Sequence, residues 1–105
     1  MVNAADISEK IENEIGGDWA ISNAHGVDLE KCLVSPPVKQ TLVDSFDNSE
    51  IDLWMVLEEY PEDKTGYKIV YDERSDMFGL ATAAREGADI YLGPYGDFLE
   101  ALQNM

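Results

Sequence analysis

Cysteine and histidine are almost absent from this chain, with Cys32 and His25 the only ones. A lone thiol cannot close an internal disulfide, so stability has to come from packing. One cysteine and one histidine also fall short of the four ligands that a structural zinc site takes. Cations are scarce as well: 7 lysines and arginines face 22 aspartates and glutamates, for a formal net charge of −15. Nucleic-acid phosphates and anionic membranes repel such a chain, so neither is an expected partner. Long apolar runs are missing too. The longest, Leu53 to Leu57, is far below the roughly 20 residues that cross a bilayer. The opening residues Met1 to Asp6 carry no basic or apolar leader, and the expected location is the cytoplasm.

The missing motifs narrow the chemistry further. There is no Gly-x-Gly-x-x-Gly, no P-loop and no Gly-x-Ser-x-Gly, so phosphate cradles and hydrolase elbows find no support. The run Asp72 to Met77 comes closest to a calcium loop, but it puts Arg74 at a ligand position and lacks the required glycine. The adjacent pairs Glu58-Glu59 and Asp72-Glu73 fall on strands, where neighbours point to opposite faces, so neither pair converges on one substrate atom. His25 and Cys32 have no evident orienting group or oxyanion donors. Cys32 is expected to be a small buried hydrophobe and His25 a solvated turn residue. No catalytic residue, metal ligand or cofactor site is expected, and the chain is read as not an enzyme.

What is present is enough to fold. Apolar residues make up 45% of the 105, which suffices for one domain and one core. Asn3 with Asp6, then Ile7, Ile11 and Ile15 and the closing pair Gly16-Gly17, predicts a capped amphipathic helix. Trp19 to Ile21 is read as a short extended piece entering a turn at Asn23 to Gly26. Asp28 caps a brief helix in which Leu29, Cys32 and Leu33 share a face, stapled by Val27 and halted by Ser35-Pro36-Pro37. Val38 to Phe46 fits a helical period at Val38, Leu42 and Phe46, yet its β-branched residues favour a strand.

Three apolar stretches follow, at Ile51 to Tyr60, Tyr67 to Glu73 and Met77 to Ala83, joined by connections suited to antiparallel neighbours. Leu53 to Leu57 is apolar on both faces and should be covered on both sides. In the next strand Tyr67, Ile69 and Tyr71 oppose Lys68, Val70 and Asp72, which predicts one wetter face. Gly79, Ala81 and Ala83 suit a face that a helix or another chain approaches closely. Ile90 to Leu92 is a short extended piece, Pro94 suits the first turn of a closing helix, and Phe98, Leu99 and Leu102 supply that helix's apolar stripe. The expected fold is α+β, a single domain over 1–105, with an antiparallel meander of about four strands carrying an N-terminal and a C-terminal helix.

One region stands out by charge. Asp44, Asp47, Glu50, Asp52, Glu58, Glu59, Glu62 and Asp63 succeed one another with no lysine, arginine or histidine among them, around Trp54 and Tyr60. An aromatic anchor inside a charged rim is a common way to build a recognition surface. The leading expectation is therefore an acidic protein-binding module that engages a basic protein partner through these ten residues, as inhibitors and immunity proteins do when they blunt a cationic enzyme. The alternative is a small-molecule sensor or accessory domain with a pocket between Tyr67, Ile69 and Tyr71 and the closing helix. Homodimerisation is compatible with either, because an open sheet edge has to be covered.

Overall fold

The computed structural model describes residues 3–17, 28–60, 65–83 and 89–104. The piece expected at Trp19 to Ile21, the following turn with His25, and Val27 lie outside them. Helix α1 spans Ala4–Ile15 and begins as its sequence requires. The Asn3 side chain accepts from the Asp6 N–H, and the Asp6 carboxylate accepts from the Asn3 N–H. Gly16, at φ 61°, closes it in the left-handed conformation that glycine accepts without strain. Ile7, Ile11 and Ile15 are all buried. The short α2, Leu29–Cys32, follows Asp28 and buries Leu29 and Cys32 in the same cluster.

Five strands follow, β1 (Leu33–Asp44), β2 (Glu50–Tyr60), β3 (Thr65–Asp72), β4 (Met77–Thr82) and β5 (Ile90–Gly96), then α3 (Phe98–Gln103). Strands β1 to β4 are consecutive antiparallel neighbours, as expected of a meander. The fold is α+β and its sheet mostly antiparallel, but it is not a four-stranded open sheet. β5 pairs with β4 and then closes a barrel onto β1 in parallel, Val43 beside Ile90 and Asp44 beside Tyr91.

Two sequence boundaries shift for a common reason. Pro36 and Pro37 do not stop the chain but run inside β1, where the ladder to β2 slips between Leu33 and Val38 and no proline N–H is required. Pro94 lies inside β5, between two further register shifts. The closing helix instead starts after Asp97, whose side chain accepts from the Glu100 N–H.

Closure divides the core in two. Outside the barrel wall, α1, α2 and α3 cover Val56, Leu57, Ile69, Tyr71, Phe78 and Leu80. Inside it, Leu42, Ile51, Leu53, Met55, Val70, Ala81 and Tyr91 pack together. β2 is covered on both faces, in agreement with its apolar run. The wetter face expected of β3 is overturned: Lys68 is only 4% exposed, and Val70 and Asp72 are buried beside it. That face is the barrel interior. Lys68 is tolerated there because its ammonium lies 2.6 Å from Asp89 and 3.8 Å from Glu58, and a buried charge needs such partners. The small residue Gly79 serves a close approach, but by β5. A Cβ at this position would collide with the Gly93 carbonyl and lie 3.0 Å from the Tyr91 hydroxyl.

Candidate functional site

The hairpin β1–β2 carries the greater part of the residues singled out by charge, and its turn is held by a set of backbone and side-chain bonds. The Asp44 N–H donates to the Ser49 carbonyl and the Asn48 N–H to the Asp44 carbonyl, both at 2.8 Å. Asp44 Oδ1 accepts from the Phe46 N–H at 2.9 Å. Asp47 Oδ1 accepts from the N–H and the hydroxyl of Ser49. Those two bonds hold the Asp47 carboxyl below the usual carboxylate range, so it stays charged. Asn48 sits at φ 61°, a conformation that asparagine tolerates better than most residues. A brace from outside the hairpin completes the turn: the Ser45 N–H donates to the Tyr91 carbonyl of β5 at 3.0 Å.

This scaffold holds Phe46 almost wholly in water, 94% exposed. The sequence favours a strand through Phe46 over a helix with Val38, Leu42 and Phe46 on one stripe; the strand stops at Asp44, and the ring faces solvent. Its only advance signal was the turn-forming Asp47-Asn48-Ser49 immediately behind it. Leaving such a ring outside forgoes on the order of 1.5–3 kcal/mol of burial, which makes its exposure informative.

Of the ten residues expected to form a partner surface, Asp44, Asp47, Glu50 and Asp52 are brought together on this turn and the strand leaving it. Glu50 and Asp52 share one outer face with Val43 and Thr41, and Thr41 donates its hydroxyl to Asp52 at 2.6 Å. Glu58 does not belong with them, because its carboxylate is turned into the barrel toward Lys68. Glu59 is half-buried farther along β2, where it accepts from the Tyr67 N–H. Trp54 is half-buried against the helix layer, its indole N–H sealed without an acceptor and Lys39 5.4 Å above its ring. It is a packing side chain rather than an open anchor. Glu62, Asp63 and the Tyr60 side chain lie outside the described residues.

The cations sharpen the contrast. Lys10 lies against Asp76, Lys39 against Glu73, Lys68 against Glu58 and Asp89, and Arg74 against Asp72. Among the described residues no ion pair reaches Asp44, Asp47, Glu50 or Asp52. Carboxylates are not confined to this hairpin, since Glu9 and Glu12 are exposed on α1. At the β1–β2 turn, however, they flank an exposed phenyl ring along the chain.

Cys32 is buried, its thiol pushed up by that burial and donating to the Glu59 carbonyl. Among the described residues no three metal-ligating side chains gather, and no helix is long and apolar enough to cross a membrane. The pocket expected over Tyr67, Ile69 and Tyr71 is filled, because Ile69 and Tyr71 are packed beneath the helices. A different groove, of about 440 Å³, opens between α1 and the β3–β4 turn, lined by Lys10, Asn13, Glu14, Asp76, Met77 and Asp97 among others. There the Glu14 carboxylate accepts from the N–H groups of Phe98 and Leu99. Burial raises its pKa more than those bonds lower it.

Comparison with known protein families, with curated proteins and with solved structures finds no match for this chain.

Proposed function

We propose that the chain is an acidic binding module, without catalytic activity of its own, that engages a basic protein through the outer surface of the β1–β2 hairpin. The observation that carries the proposal is the charge of Asp44, Asp47, Glu50 and Asp52, none of which is reached by an ion pair among the described residues. Opposite charge speeds encounter and discriminates among partners. An inhibitor or immunity-like role toward a cationic enzyme is one form this takes. The lone cysteine agrees with a reducing compartment such as the cytoplasm. Barrel closure covers the sheet edge that would have invited a second copy, and the net charge opposes self-association through this surface.

The test is a pull-down at low and high salt followed by titration with the purified partner. Affinity is expected to fall as salt rises, and Glu50→Gln with Asp52→Asn to flatten that dependence. A partner whose affinity ignores salt, or whose contacts avoid the hairpin, sinks the proposal. The small-molecule alternative is supported only by the groove beside Lys10 and Glu14, and ligand-induced shifts in melting temperature would reveal it.

A further inference from the structure

We infer that the β1–β2 turn is a preformed aromatic finger, and that the basic partner receives Phe46 in an apolar pocket with a cationic rim. This deepens the proposal above and rests on it. Three observations fix the occupant. The ring is 94% exposed, so the fold does not need it for its own core. The turn beneath it is held by bonds from Asp44, Asp47, Asn48 and Ser49 and by the Ser45 brace to β5, so little backbone entropy is lost when the ring is gripped. The acids on either side of the ring select a partner by sign: a neutral apolar cleft would leave those carboxylates desolvated and unpaired, and a second copy of this chain would set them against their own kind. An aromatic anchor that fills a pocket inside a charged rim carries most of the binding energy in many interfaces. Here the rim supplies the salt dependence and Phe46 the affinity.

The probes are a synthetic amphipathic peptide of lysine and leucine and its counterpart with serine for leucine. Each is titrated at low and at moderate salt against the full chain and against Phe46→Ala, Phe46→Leu and Glu50→Gln/Asp52→Asn. The leucine peptide is expected to bind more tightly than the serine peptide and to perturb backbone amide signals at residues 44–52. Phe46→Ala should weaken it at least tenfold while leaving its salt dependence unchanged, and Phe46→Leu should restore part of the loss. Phe46→Ala should not change the melting temperature. If the leucine and serine peptides bind equally, or Phe46→Ala binds as the parent does while Glu50→Gln/Asp52→Asn weakens binding, the finger is refuted and the acidic surface survives. If neither peptide shows salt-dependent binding, the acidic surface falls and the finger with it.

Discussion

Residues 44–49 and 72–77 turn the chain in the same manner. Each opens on an aspartate whose Oδ1 accepts the backbone N–H two residues on, Asp44 from Phe46 and Asp72 from Arg74. Each also contains a non-glycine residue at positive φ, Asn48 in one and Asp76 in the other. Their uses diverge at matching positions. Arg74 folds back onto Asp72, Lys39 reaches Glu73, Lys10 reaches Asp76, and the Tyr71 hydroxyl donates to Asp76. The β3–β4 turn is thereby stitched to the rest of the fold. At the β1–β2 turn, phenylalanine replaces the arginine, and among the described residues no ion pair reaches the acids. Similar local geometry serves cohesion in one place and leaves an exposed phenyl ring in the other, and the difference lies in what stands two residues after the aspartate.

The sharpest way to break this comparison is to truncate the aromatic ring associated with each turn. Tyr71, 1% exposed, should cost about 3–5 kcal/mol as Tyr71→Ala, whereas Phe46→Ala should stay within about 0.5 kcal/mol. Urea midpoints of the two variants settle it. A smaller effect, about 1–2 kcal/mol, is expected for Tyr71→Phe, which removes only the hydroxyl bond to the Asp76 carboxylate.

That variant also carries a pH signature. The Tyr71 hydroxyl first, and Lys10 second, hold the Asp76 carboxyl below its ordinary 3.8. A depressed folded-state value means that its stabilisation is fully present above 3.8 and is lost as pH falls through the lower value. Midpoints measured down the acid side should therefore fall less steeply in Tyr71→Phe than in the parent. Smaller still, Lys10→Met should cost about 0–1 kcal/mol and less in salt, because both partners are largely solvated. The smallest change is Phe46→Arg: it reproduces the arrangement at Asp72, should leave the urea midpoint unaltered within about 0.5 kcal/mol, and should abolish the finger's binding.

Strands β2, β3 and β4 were legible because each is an apolar run bounded by turn residues, and α1 because its cap, period and terminating glycine agree. Barrel closure was not legible. The parallel seam rests on two residue pairs, at 43 with 90 and 44 with 91, and such distant pairing leaves no local pattern. Everything that closure decides was hidden with it: that Lys68 and Asp72 point inward, that Glu58 leaves the surface to meet Lys68, and that β5 continues through Pro94. Four of the acids in the candidate site were found by charge alone. The half-burial of Trp54 against the core and the exposure of Phe46 were equally hidden, because both depend on where the covering helices lie.

The same seam governs how the molecule can open. Its bonds are few, chiefly Val43 N–H to the Asp89 carbonyl and Ser45 N–H to the Tyr91 carbonyl, and they join segments far apart along the chain. Detaching β5 from β1 is therefore expected to cost less than global unfolding, and amide hydrogen exchange at Val43 and Ser45 should report it first. Because the second bond also braces the loop that carries Phe46, unzipping the cylinder there would free the backbone beneath the ring.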